Sequence, residues 1–263
     1  MTKFDTLQIE DGEYGVMVVT LNRPDRLNAM NTAMMLELRE VFTDLYVHPE
    51  KARVVIVTGA GDRGFCPGAD LKERDGMSDD TWRSQHALVE QIARAIWQVP
   101  MPIIAAVNGV AMGGGAEIAL LADFIYAADH ARFAFPEVTR GIMPGMAGPQ
   151  NLPRAVGVRR AKEIVLTGTP FTAQEAHEWG MVNRVLALEK LMPAALETAR
   201  TIARNAPIGV RSAKAALDKA IELPRVPGYD FEIMAYGATI STEDRLEGVR
   251  AFNEKRPPAF KGK

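Results

Sequence analysis

The sequence predicts a layered α/β fold, and three observations support this class. Runs rich in valine and isoleucine, typical of buried strands, alternate with stretches whose apolar residues recur at helical spacing. The chain has 263 residues, of which 47% are hydrophobic, so it can bury a substantial core. Strands that alternate with helices imply right-handed crossovers between layers, which is the arrangement of an α/β core.

Four strands are predicted in the first half of the chain, at residues 16–21, 54–58, 103–107 and 124–127. The middle two consist almost entirely of apolar residues, which indicates burial on both faces of a sheet. Helices are predicted between the strands at residues 31–46, 81–98 and 114–122. From Arg154 onward the pattern is almost wholly helical, with turn signals at Gly168, Pro170, Pro207 and Pro224.

The most informative stretch is VAMGGGAE at residues 110–117, where three glycines lead directly into an apolar helix. Glycine lacks a Cβ, so a ligand atom can approach the backbone, and the free N–H groups of a helix start favour negative charge. Glu117 lies in the first turn of this helix, and Glu137 follows in the segment FAFPEV. Two carboxylates beside an oxyanion site indicate acid/base chemistry next to a polarised carbonyl.

Six segments of the chain resemble the enoyl-CoA hydratase/isomerase (crotonase) superfamily, in the family's order and spacing. They are LNRPDRLNAM (21–30), VVIVTGAGDRGFCPGADLKE (54–73), AAVNGVAMGGGAEIALLADF (105–124), FAFPEVTRGIMPG (133–145), LTGTPFTAQEAHEWGMVNRV (166–185) and EDRLEGVRAFNEKRPP (243–258). The resemblance implies a crotonase-like spiral of repeated ββα units with a C-terminal helical region. It places the spiral core and its CoA-thioester site in residues 1–200, and a helical oligomerisation region in residues 201–263.

The resemblance also implies the chemistry. The backbone N–H groups of Ala69 and Gly114 match the two donors that hold the thioester oxygen in the family. Glu117 and Glu137 match both catalytic glutamates of family hydratases, whereas members that only move double bonds commonly retain one. Hydration needs one group that takes a proton from water and one that protonates the α-carbon. We therefore expect reversible addition of water to a 2-enoyl-CoA, with Glu117 activating water and Glu137 delivering the proton.

Coenzyme A is implied as part of the substrate, and no separate cofactor is expected. The residues expected to contact the substrate are Arg26, Ala69, Asp70, Leu71, Lys72, Gly114, Gly145, Phe252 and Lys255. Gly145 matches the backbone that lines the water site, and Phe252 and Lys255 match positions that reach the nucleotide of a neighbouring subunit in relatives. The resemblance thus implies a homotrimer or a homohexamer built as a dimer of trimers.

Some residues depart from the family or allow another interpretation. Pro149 and Asn151 replace a glycine-rich segment, which predicts a reshaped acyl end of the pocket and a branched, cyclic or heteroatom-bearing acyl chain. Each glutamate, taken alone, could instead stabilise a helix dipole or cap a helix.

Two further groups of residues are assigned from the sequence. Methionines expected in an acyl wall are Met112, Met143 and Met146, and tryptophans interpreted as packing residues are Trp82, Trp97 and Trp179.

Composition excludes several other classes. There are 31 Lys and Arg residues against 33 Asp and Glu, a net charge of −2, so no basic field attracts nucleic acid. No apolar run has the length of a membrane span or a signal peptide, which predicts a cytoplasmic protein without a membrane partner. The single cysteine, Cys66, allows no internal disulfide and is expected to pack, and the four histidines show no metal-ligand spacing.

Four alternative functions stay open. Within the family they are a carnitinyl-CoA-type dehydratase, a double-bond isomerase and an acyl-CoA thioester hydrolase. Outside enzymes, an RNA-binding or scaffold protein could reuse the fold, but it would require a clustered basic face. The acyl group, the pathway and the physiological direction of the reaction are not fixed by the sequence.

Overall fold

The computed structural model describes residues 4–263, so the first three residues of the predicted core lie outside the described part. Strands are β1 (Leu7–Asp11), β2 (Val16–Leu21), β3 (Val54–Gly59), β4 (Gly64–Cys66), β5 (Ile103–Val107), β6 (Val110–Met112), β7 (Phe124–Ala128), β8 (Arg132–Ala134), β9 (Phe171–Thr172) and β10 (Arg184–Leu186). Helices are α1 (Thr32–Val47), α2 (Leu71–Arg74), α3 (Asp79–Gln98), α4 (Gly114–Leu121), α5 (Gly148–Val156), α6 (Val158–Thr167), α7 (Ala173–Glu178), α8 (Leu188–Ala203), α9 (Pro207–Ala220), α10 (Arg225–Ile240) and α11 (Glu243–Asn253).

Within residues 4–263 the strands form two sheets. The six-stranded sheet has the order β1-β2-β3-β5-β7-β10, and the four-stranded sheet has the order β4-β6-β8-β9. The pairs β3/β4, β5/β6 and β7/β8 each contribute one strand to each sheet, and neighbouring strands contributed by successive pairs are parallel. Each pair is followed by helix, so the chain winds as a spiral of ββα units. This confirms the predicted fold.

The four predicted strands and three predicted helices are present within two residues of their expected bounds. Every residue of β3 and β5 is buried, as their continuous apolar runs predict. Asn31 caps α1 because its side chain accepts a hydrogen bond from the Met34 N–H, which sets the start of that helix.

The region after Arg154 is almost wholly helical, as the sequence predicts. Its two short strands, β9 and β10, add to the small sheet and to the large sheet respectively. The strands that the sequence did not predict are β1, β4, β6, β8, β9 and β10. Most of them span two or three residues, which is too few for a period-two pattern to show.

The C-terminal helices differ from the core in their burial. No residue of α10 is buried, and this helix packs most extensively on α9. Large apolar side chains exposed on α10 are Val226, Tyr229, Ile233, Met234, Tyr236 and Ile240. The division at residue 200 stays a prediction. None of the helices described from residue 4 onward is long and apolar enough to span a bilayer.

Candidate active site

A cleft of about 920 Å³ lies between the loop around Ala69, α2, α3, the start of α4 and the segment from Pro136 to Gly145. It collects most of the site residues that the sequence predicts. Those that line it are Arg26, Ala69, Asp70, Leu71, Lys72, Gly114, Glu117, Glu137 and Gly145. Phe252 and Lys255 do not line the cleft of this chain, and Phe252 is 84% exposed.

The three glycines before Glu117 serve different structural purposes. Gly113 adopts φ 51° and ψ −127°, a conformation that L side chains rarely take. A Cβ on Gly115 would lie 1.9 Å from the Cys66 carbonyl oxygen, so this glycine allows the start of α4 to pack on β4. Tight packing against β4 therefore explains the glycine at position 115. Gly114 begins the helix and faces the cleft.

Two backbone N–H groups in the cleft wall are unused. Met30 and the loop form a short parallel bridge in which the Met30 N–H donates to Gly68 O and the Asp70 N–H donates to Met30 O. Among the hydrogen bonds within residues 4–263, neither the Ala69 N–H nor the Gly114 N–H is a donor. A Cβ on Gly68 would lie 3.2 Å from the Gly114 nitrogen, so the two segments are adjacent. The wall can thus offer two donors to one anionic oxygen.

Glu117 is held by backbone donors from another segment. Its side chain is almost fully buried, and Oε1 accepts the Met146 N–H at 2.7 Å and the Gly148 N–H at 2.8 Å. Burial raises the pKa of Glu117 to about 7, although the backbone N–H groups of Met146, Gly148 and Gly145 lower it, and the nearby charge of Glu137 raises it further. A carboxyl group poised near neutral pH suits general acid/base catalysis.

Glu137 begins a 3-10 turn, Glu137–Arg140, and is half-buried. Its Oε2 is a buried oxygen with no hydrogen-bond partner among the described residues. A Cβ on Gly113 would lie 3.0 Å from its Oε1, so the carboxyl group lies against the glycine turn that precedes Gly114. Burial raises the pKa of Glu137, while its own backbone N–H and the Arg140 charge lower it. An unpartnered buried oxygen is available to a substrate or a water molecule.

Asp70 organises the loop that carries Ala69. Its side chain accepts the Lys72 N–H at the start of α2 and pairs with Arg23 at 3.0 Å. Burial opposes the ionisation of Asp70, but the hydrogen bond and charge of Arg23 outweigh it, and the pKa falls below its usual value. Because this carboxylate already has partners, Asp70 fits a positioning role better than direct contact with an anionic substrate. Lys72 is exposed and free to meet a phosphate.

Several expectations about the cleft walls need correction. Met112 and Met143 line the cleft as predicted, but Met146 is buried and contributes its backbone instead. Pro149 and Asn151 are not among the lining residues, so they do not reshape the cleft directly. They lie in the first turn of α5, next to the Gly148 N–H that holds Glu117.

Sequence reasoning missed the contribution of α3. Five of its residues line the cleft, namely Trp82, Arg83, His86, Val89 and Glu90, so Trp82 is not merely a packing residue. Their spacing follows one face of a helix, which was the available signal. A Cβ on Gly145 would lie 2.6 Å from His86 Cε1, so only glycine leaves room for the imidazole ring.

The structure agrees with the assignment of Cys66 as a packing residue. Cys66 is a fully buried free thiol, and burial raises its pKa to about 12, which excludes it as a thiolate nucleophile. GAGDRG is the turn between β3 and β4. No cluster of three or more His, Cys, Asp or Glu side chains in the described part of the chain could hold a metal ion.

Comparisons with known proteins match the chain to one family. The family model described as enoyl-CoA hydratase/isomerase matches residues 11–263. A short-chain-enoyl-CoA hydratase of Clostridium acetobutylicum is 39% identical over 248 residues, which cover 94% of this chain and 95% of the relative. A crotonyl-CoA hydratase of Syntrophomonas wolfei is 37% identical and covers 96% of both chains. The crystal structure of an enoyl-CoA hydratase from Bacillus anthracis has a TM-score of 0.96 and 42% identity, covering 98% of this chain and all of that one.

Proposed function

Because this chain belongs to the enoyl-CoA hydratase/isomerase family, we propose that it is an enoyl-CoA hydratase. It adds water reversibly to a 2-enoyl-CoA thioester and gives a 3-hydroxyacyl-CoA. The observation that carries this proposal is the arrangement of Glu117 and Glu137 beside the unused N–H groups of Ala69 and Gly114. Both carboxyl groups have raised pKa values, as proton transfer near neutral pH requires.

The chemistry follows from these four groups. The Ala69 and Gly114 N–H groups donate to the thioester oxygen, which becomes negative as the β-carbon is attacked. Each such donor contributes on the order of 3 kcal/mol to the stability of the transition state. Ionised Glu117 takes a proton from water while the water oxygen bonds to the β-carbon. Protonated Glu137 gives its proton to the α-carbon, and the oxyanion reverts to a neutral thioester. Glu117 then releases a proton to solvent and Glu137 takes one up, which restores the starting state.

The hydratase proposal is tested with crotonyl-CoA. We expect the absorbance of the conjugated thioester to fall while total thioester stays constant, and the product to gain the mass of one water. A double-bond isomerase would instead convert a 3-enoyl thioester without a change in mass, and a hydrolase would release free thiol. If free thiol accumulates and no enoyl thioester is hydrated, the hydratase function is wrong although the fold and family stand. A carnitinyl-CoA-type dehydratase would differ in its acyl group, so it would dehydrate carnitinyl-CoA much faster than it hydrates crotonyl-CoA.

The pH dependence follows from Glu117. Its raised pKa of about 7 means that the free enzyme loses the ionised base as pH falls through this value. We expect log kcat/KM for hydration to fall with unit slope below about pH 7. Glu117→Gln should remove this acidic limb from the residual activity. An unchanged limb in the variant would assign it to another group.

We propose further that the chain forms a homotrimer or a dimer of trimers. Support comes from the apolar face of α10, which is unburied within one chain, and from the 84% exposure of Phe252. A predicted role for Phe252 and Lys255 at a neighbour's nucleotide site fits their position outside this chain's own cleft. Sedimentation at micromolar concentration should show no monomer. A fully active, stable monomer would contradict the proposal.

We also propose the partner, the cofactor requirement and the location of the protein. Acyl-CoA is the small-molecule partner, and no separate cofactor is needed because the chain's own side chains and N–H groups perform each step. The near balance of charges, at −2, gives no support to a nucleic-acid partner. We propose a cytoplasmic location because Cys66 is a buried free thiol, as is usual in reducing compartments.

A further inference from the structure

Arg74 is a half-buried cation in the wall of the cleft, and it is fixed in place. Its Nε donates to Gln85 Oε1 at 2.7 Å, and its guanidinium carbon lies 4.4 Å from the centre of the Trp82 ring. Gln85 is buried and immobilised in turn, because its Nε2 donates to Thr32 Oγ1 at 2.9 Å and to Glu73 Oε2 at 3.0 Å. The guanidinium therefore has a defined orientation before any ligand binds.

The terminal nitrogens of Arg74 have no partner. Among residues 4–263 the side chain forms only the bond to Gln85, and it forms no ion pair. The nearby Glu73 carboxylate is already occupied, since it accepts the Thr32 N–H at 2.9 Å as well as the Gln85 amide. Burial lowers the pKa of Arg74, which expresses the cost of placing its charge there. A partly buried cation with unused donors is suited to an anionic ligand.

A row of residues in the cleft wall connects Arg74 to Glu117. Trp82, on which it stacks, and His86 are one turn apart on the cleft face of α3. His86 contacts the space above Gly145, and Gly145 lies beside Glu117. This wall thus leads from the catalytic carboxyl group to the guanidinium.

A phosphate of coenzyme A is a less suitable ligand for Arg74. Arg74 is half-buried and held by Gln85 and Trp82, and a phosphate, with its higher charge, costs more to desolvate there than a single carboxylate does. Arg26 and Lys72 also line the cleft, and because they are exposed they can bind a phosphate that stays solvated.

We propose that Arg74 binds a carboxylate at the far end of the acyl chain, so that the preferred substrates are 2-enoyl thioesters of dicarboxylic acids. The inference rests on the proposed hydratase function and adds a substrate class to it. A guanidinium presents parallel N–H donors that match a carboxylate, and the stacking on Trp82 holds this pair in the cleft.

The test compares two substrates that differ at the far end by one charge and one methyl group: glutaconyl-CoA and its ω-methyl ester, with the next longer pair alongside. We expect wild-type kcat/KM to be at least about tenfold higher for the acid than for the ester in one of the pairs, as a charge-assisted pair provides. Arg74→Gln should reduce this acid-to-ester ratio about tenfold. Arg74→Lys, which keeps the charge but loses the paired donors, should retain part of the ratio.

Arg83→Gln is the matched control, because Arg83 also borders the cleft but its side chain is 72% exposed and paired with Asp79 and Asp80. It should keep the acid-to-ester ratio of the wild type. Equal kcat/KM for acid and ester in the wild type overturns the proposal. So does an equal loss for both substrates in Arg74→Gln, or a tenfold loss of its affinity for free coenzyme A, which would assign Arg74 to a phosphate. Hydration of the ester by the wild type tests the hydratase function separately.

Discussion

Glu117→Gln and Glu137→Gln are each expected to lower kcat for hydration by at least about a hundredfold, the lower end for lost acid/base catalysis. Glutamine has the shape of glutamate, and its carbonyl oxygen can still accept the Met146 and Gly148 N–H groups that hold residue 117. It cannot exchange a proton, however. The loss therefore reports proton transfer and not the position of the side chain.

The control for this experiment is Glu90→Gln. Glu90 lines the same cleft, but it is exposed and lies 3.8 Å from His86, away from the backbone donors that hold Glu117. Its replacement should leave kcat near the wild-type value. Steady-state hydration of crotonyl-CoA, with thermal unfolding as the check on folding, measures all three variants. Full activity in either of the first two would remove that glutamate from the mechanism.

The sequence predicted the parts of the site that lie in continuous motifs. Glu117 and Gly114 follow one strand directly, and Ala69 lies in a short loop that resembles the family, so continuous motifs were sufficient to predict them as candidates. The buried strands β3 and β5 were equally clear, because they are apolar at almost every position. Predicting these elements does not require knowing which distant segments of the chain are in contact.

The parts of the site that the sequence did not predict depend on contacts between segments far apart in the chain. Nothing near Glu117 in sequence indicates that its carboxylate is held by the N–H groups of Met146 and Gly148. Likewise, α2 and α3 each look like ordinary surface helices until Gln85 is seen to fix Arg74. Pro149 and Asn151 illustrate the reverse error, since an unusual local sequence was interpreted as a wall of the pocket although these residues lie outside it.

Gly115→Ala is expected to destabilise the fold by about 3 kcal/mol, the upper part of the usual range for overpacking. The added Cβ would lie 1.9 Å from the Cys66 carbonyl oxygen and 2.7 Å from its carbonyl carbon, and these backbone atoms cannot turn aside. For a chain of this size we expect the melting temperature to fall by about 6 °C or more. Because α4 carries both the Gly114 N–H and Glu117, its displacement should also lower kcat.

Gly114→Ala separates this steric effect from the general cost of changing the glycine motif. Its Cβ would meet only the flexible end of Met30, at 2.7 Å from Cε, and the next atom lies 3.9 Å away. Alanine also favours a helix over glycine by about 1 kcal/mol, which offsets the shift of Met30. We therefore expect Gly114→Ala to melt close to the wild type when thermal unfolding of both glycine variants is measured. Equal losses of melting temperature in the two variants would show that close packing against Cys66 is not the reason for glycine at position 115.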